Sequence, residues 1–143
     1  MANVYIASNL RHFVSKRASF CCEYCKSQAS YTTETRFAVE HIIPLSLGGN
    51  SEAGNLALSC SGCNGYKYNK VNATDPVTRE HVALFHPREQ SWEDHFSWSD
   101  DYVQVVGFSP TGRATVETLR LNRTGLVNMR RLLYSAGKHP PST

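Results

Sequence analysis

Four cysteines and one acid–imidazole pair are the residues of this 143-residue chain whose types and spacing could do chemistry. The cysteines form two Cys-x-x-Cys pairs, Cys22/Cys25 in CEYC and Cys60/Cys63 in CSGC, with thirty-four residues between them. A two-residue spacer lets both thiolates of a turn face one ion, and two such knuckles complete a tetrahedral sulfur shell for structural zinc. A redox Cys-x-x-Cys needs only one pair, near a βαβ pattern that is not visible here. Two disulfides are disfavoured in a chain that reads as cytosolic. Cys21 would be a ligand only with a different spacing to Cys25, and it reads as a small core residue.

The acid–imidazole pair is Glu40-His41, inside AVEHIIPLSLGGN at residues 38–50. The stretch begins as an apolar strand and is stopped by Pro44 and the Gly48-Gly49 turn. Neighbours in a regular strand point to opposite faces, so Glu40 and His41 can serve one reacting group only if the chain bends between them.

The elements that must position these residues follow from periodicity. IASNLRHFVSKRA places Leu10, Phe13, Val14 and Arg17 at helical spacing, with Ser8 or Asn9 as cap. RFAVEHII and NLALS read as an antiparallel strand pair joined by the Gly-Gly loop. The second knuckle opens into a short helix over NGYKYNK, so a metal would clamp a β-β-α unit at both ends. Further on, DPVTRE is a turn and VALFHPRE reads as irregular because of Pro87. HFSWS and YVQVVGF alternate as strands around Asp100-Asp101. GRATVETLRLN and RTGLVNMRRLLYSAG read as helices, the second with Leu126, Met129, Leu132 and Leu133 as its apolar face. The tail KHPPST is expected to fray.

In this order and spacing the residues resemble the HNH endonuclease family and its ββα-metal motif. The resemblance lies in the acid-His pair at the first strand's end, Pro44, Gly48-Gly49, Asn55 opening the second strand, and Cys60-x-x-Cys63-Asn64-x-x-Lys67 opening the helix. It extends through LFHPREQSWEDHFSW, GRATVETLRLN and AGKHPP, which look like the C-terminal half of stand-alone bacterial and phage-type HNH proteins. The family's third letter is often His; here Asn64 stands in its place. The implied fold is α+β: a ββα-metal core clamped by a four-cysteine zinc site, a leading helix, and a C-terminal extension of one hairpin and two helices. It implies one nuclease domain over residues 1–143, with its core at about 20–72 and the extension at about 73–143. It also implies that the chain bends so that Glu40 and His41 share one cleft.

The implied reaction is hydrolysis of a DNA phosphodiester by nicking or double-strand cleavage. That needs an activated water and neutralised charge at the phosphate. His41, an imidazole titrating near neutrality, can take the water's proton. Glu40 and Asn64 offer only oxygen ligands, which suit a hard cation such as magnesium or manganese. Asn55 has the family's role of holding the loop that carries His41. Lys67, one helical turn beyond Asn64, and Lys70 are the expected phosphate contacts. The competing reading is a zinc-stabilised DNA-binding module with a dead site, which would have no need of the Glu40/His41/Asn55/Asn64 set.

A net charge of +3 is mild, but six basic residues between Arg113 and Lys138 face only Glu117, whereas Glu89–Asp101 holds five acids and no Lys or Arg. A basic face suits a polyanion, and equally a solvated helix surface. No long apolar run suggests a membrane span, and the N-terminus lacks the pattern of a secretory signal, so the expected location is the cytoplasm. No recognition domain of familiar type is present, so specificity is expected to be low or supplied by a protein partner. His12, His81, His86 and His139 read as surface or hydrogen-bonded core residues, and His95 as packing beside Trp92, Phe96 and Trp98.

Overall fold

The computed structural model describes residues 5–142, and its architecture is α+β, with small antiparallel sheets and four α-helices. Helix α1 spans Ser8–Arg17. Its cap position falls on Ala7, one residue before the expected cap, and Asn9 Oδ1 accepts from the neighbouring Leu10 N–H. Only Val14 of the expected face is buried; Phe13 is exposed and carries Arg17 stacked 5.2 Å from its ring centre. Arg17 also donates to the Leu56 carbonyl at 2.9 Å, which ties the helix to the sheet.

Strands β1 (Ala38–His41) and β2 (Leu56–Ser59) pair antiparallel, with Glu40 opposite Ala57 and His41 opposite Leu56. All four residues of β2 are buried. One edge of β2 takes the first knuckle: Glu23 N–H donates to Leu58 O at 2.9 Å, and the Glu23 carboxylate accepts from Leu58 N–H at 2.8 Å. Helix α2 runs Ser61–Lys67, earlier than NGYKYNK suggests, because the second knuckle itself forms its first turn.

Beyond α2 the extension holds two hairpins, not one. The unexpected pair is β3 (Asn72–Thr74) with β4 (His81–Ala83). The expected pair is β5 (Phe96–Trp98) with β6 (Val105–Gly107). Helix α3 (Pro110–Thr118) starts with Ser109 capping Gly112 N–H at 2.9 Å. Gly112 is needed there, since a Cβ would sit 2.2 Å from the His95 carbonyl oxygen. Arg113 on α3 grips Asp75 through two bonds of 2.9 and 2.8 Å and so fastens the turn after β3. His95 packs against Phe85 and Phe96 and meets Ser109 Oγ at 2.7 Å.

Helix α4 covers Thr124–Ser135. Its expected apolar face is used only in part: Leu126 packs half-buried against the core, Met129 and Leu133 are half-buried, Leu132 is 68% exposed, and the buried residue of the helix is Arg130. The tail does not fray through His139, which is buried, edge-on to Trp98, and bonded to Tyr102 O at 2.8 Å. The end of that expected fraying segment, Thr143, and residues 1–4 lie outside the described residues. A continuous apolar core runs from Ile6 and Val14 through Tyr24, Phe37, Leu56 and Phe85 to Leu119 and Leu121, so core and extension share their burial. Among the described residues, no helix is long and apolar enough to cross a membrane.

Candidate active site and metal centre

The two knuckles meet. The Sγ atoms of Cys22, Cys25, Cys60 and Cys63 lie within 4.8 Å of one another and all four residues are buried. Cys25 and Cys60 are 3.7 Å apart, sulfur to sulfur, far beyond a disulfide of about 2.05 Å. That separation is the edge of a tetrahedron whose metal–sulfur bonds are about 2.3 Å, so the cluster has the donors and size of a structural zinc site. Cys21 stands apart from it, buried, with its thiol toward Ser19 O. The geometry therefore selects Cys22.

His41 ends β1 with 7% of its surface exposed, and its Nε2 lies 2.9 Å from Ser51 Oγ. Burial holds its pKa below the usual imidazole value. The chain just beyond it is pinned by Asn55. The Asn55 amide oxygen accepts from Ile43 N–H at 2.9 Å, and its NH2 donates to Ile43 O at 2.9 Å and Asn50 O at 2.8 Å. The glycines follow from this closeness: Gly48 has φ +91°, and a Cβ on Gly49 would fall 1.8 Å from Ile43 O.

Glu40 goes the other way. β1 keeps its regular register through Glu40 and His41, so the bend expected to bring both side chains to one cleft is absent. The Glu40 carboxylate is 2% exposed, accepts from the Tyr24 hydroxyl, and lies 3.4 Å from Lys67 Nζ. Lys67, 1% exposed, also donates to Ile42 O at 2.8 Å. Burial raises the Glu40 pKa, against the pull of Lys67 and Tyr24. Two expectations are corrected here. Lys67 cannot contact a phosphate from this position, because its ammonium neutralises an internal acid. And the residues do not fit a magnesium or manganese ion between Glu40 and Asn64: such an ion keeps several waters, while both oxygens of Glu40 are engaged in a site closed to solvent. Asn64 is half-buried on α2, and Lys70 is exposed, bonded to Tyr66 O at 3.1 Å.

This buried triad makes a stability prediction. Lys67→Met strands the Glu40 charge and should cost about 3–5 kcal/mol, moderated as the carboxyl takes up a proton. The double variant Glu40→Gln/Lys67→Met removes both charges and should recover much of the loss. Urea unfolding tests this; a Lys67→Met protein within about 1 kcal/mol of wild type would contradict the pairing.

Three residues of the site carry no sequence signal. Ser51 and Tyr24 reach His41 and Glu40 from ten and sixteen residues away. Arg123 lies against the cysteines from α4's cap, with Nη2 3.4 Å from Cys60 Sγ.

A β-hairpin followed by a short helix, joined at both ends by a four-cysteine cluster, with an imidazole leaving the first strand, is the zinc-knuckle form of a ββα-metal unit. Residues 22–70 match the model of the HNH endonuclease family. This segment, knuckle to knuckle and through α2, is thus similar to HNH endonucleases, a family that implies nuclease-type activity. A search of curated proteins returned no match.

Proposed function

We propose that the chain works as one HNH domain, an endonuclease that hydrolyses DNA phosphodiester bonds with His41 as general base. The reading rests on His41 itself: an imidazole kept neutral by burial, oriented by Ser51, and followed by a chain segment that Asn55 bonds at both sides of Ile43. In the tautomer whose Nε2–H donates to Ser51 Oγ, Nδ1 presents the lone pair. Nδ1 takes a proton from water, the water oxygen bonds to phosphorus, and the bond to the departing sugar oxygen breaks. Lys70, exposed three residues beyond α2, is the phosphate contact in place of Lys67. Magnesium or manganese belongs to this reading through the family and would supply charge neutralisation at the phosphate, but Glu40 as placed does not hold it and no step is routed through it. The reduced cysteines suit the cytoplasm, and specificity comes from a protein partner or is low.

Supercoiled-plasmid nicking with magnesium, manganese and EDTA in turn tests the proposal. Glu40 locked to Lys67 favours the second reading, a zinc-stabilised DNA-binding module that does not cleave. No nicking with any cation, alongside a retained DNA mobility shift, would establish that reading instead.

The pH dependence has a definite sign. A general base works unprotonated, and burial lowers the pKa of His41, so cleavage persists into mild acid. The acid limb of kcat/KM should have its midpoint below the ordinary imidazole value of about 6.5. A midpoint clearly above that value would rule out a buried neutral His41 as the base.

A further inference from the structure

We propose that Arg123 is the counter-ion of the four-cysteine metal centre, and that through it the C-terminal extension closes over the knuckles. Four thiolates around a zinc ion leave two net negative charges, which are costly among apolar side chains. The cysteines here are buried, so bulk water does not relieve that charge. Arg123 meets it directly. Its Nη2 lies 3.4 Å from Cys60 Sγ, and Nη1 and Nη2 each lie 3.7 Å from Cys63 Sγ. Nη1 also donates to Leu119 O and Arg120 O at 3.2 Å, which fixes the fork to the end of α3.

Two further features fit. Gly62, inside CSGC, leaves the room the guanidinium occupies: a Cβ there would fall 2.4 Å from Arg123 Nη2. Arg130, 4% exposed, donates to the Cys25 carbonyl at 3.3 Å and places a second cation behind the other knuckle. Both arginines belong to the extension, so the metal is held by the core's cysteines and balanced by the extension's charge. Hydrogen bonds from a charged donor to metal-bound sulfur hold the ligand in its thiolate form, and groups of this kind change metal affinity about 10–100-fold.

The test uses the full-length zinc-loaded chain and follows zinc transfer to a chromogenic chelator at neutral pH. Arg123→Met keeps the stem and removes the charge. It should release zinc at least about tenfold faster than wild type. Arg123→Lys keeps the charge and should stay within a few-fold. Arg120→Met is the control, since Arg120 stacks 5.0 Å from the Tyr66 ring, as Arg123 does at 5.7 Å. It should release zinc at the wild-type rate, as should any variant that loses only packing. Unchanged release from Arg123→Met, or equal acceleration by Arg120→Met, would overturn the assignment. If Arg123→Met does not fold, Arg123→Lys decides: near-wild-type release supports a role for charge, and release about tenfold faster overturns it. Wild-type protein that folds without stoichiometric zinc would overturn it as well. None of these outcomes depends on whether the protein cleaves DNA.

Discussion

His41→Ala loses DNA cleavage by about 10²–10⁴-fold while zinc content, melting temperature and DNA affinity stay near wild type. The size follows from what the side chain does. A base acts on the water's proton as the bond to phosphorus forms, so its removal raises the barrier without weakening ground-state binding. The fold should tolerate the change. His41 closes the end of β1, and its one side-chain hydrogen bond goes to Ser51, a loss of about 1 kcal/mol. The pinning of the following segment belongs to Asn55 and survives. Ser51→Ala is a graded companion: it leaves the imidazole but removes its orienting partner, so its loss should fall between wild type and His41→Ala. Single-turnover nicking with both variants measures this. Near-wild-type cleavage by His41→Ala would remove His41 from the chemistry.

Zinc removal unfolds the protein. Apparent zinc-binding free energies in structural sites are about 10–16 kcal/mol near pH 7, against about 5–15 kcal/mol for the whole stability of an ordinary domain. Here the cluster joins the segment before β1 to the segment after β2, and its four residues sit inside the same core as Tyr24, Leu56 and Leu121. Without metal, four buried sulfurs have neither a ligand nor water. Stripped protein, or Cys60→Ser, should lose its cooperative melting transition and most of its near-ultraviolet dichroism. The ligands must be deprotonated to bind, so retention should weaken as pH falls. Elemental analysis should find one zinc ion per chain. A metal-free preparation that melts at the wild-type temperature would show that the cysteines are only core residues.

Local chemistry was legible in the sequence. Cys-x-x-Cys sets its own geometry within one turn, so the ligand pairs, and Cys22 over Cys21, could be read from spacing and agree with the cluster seen. The β1–β2 pair was legible for the same reason, through strand patterning and a Gly-Gly turn whose second glycine has no room for a Cβ. The second hairpin was not, because β3 and β4 have three residues each, too few for alternation to show, and Asp75 is fixed by Arg113 from far along the chain. In α4 the apolar stripe pointed to a packed face, yet the extension buries Arg130 there, whose guanidinium finds carbonyl partners at Leu121 and Val103.

At the site the division is sharper. The sequence by itself offered two placements for Glu40 and His41, opposite faces of a regular strand or the bend into one cleft that the resemblance called for, and it put Lys67 one helical turn beyond Asn64. The regular register of β1 then set Glu40 and His41 apart. Only the tertiary structure decided what each side chain meets. Tyr24 and α2 cover the Glu40 side, so an acid and a lysine that read as site ligands become a buried pair, while His41, 7% exposed, meets Ser51 instead. Ser51 against His41 and Arg123 against the cysteines were decided in the same way. Spacing specifies directions within an element; burial and partners depend on elements distant in sequence that pack together, and charges change their roles when that packing removes water from around them.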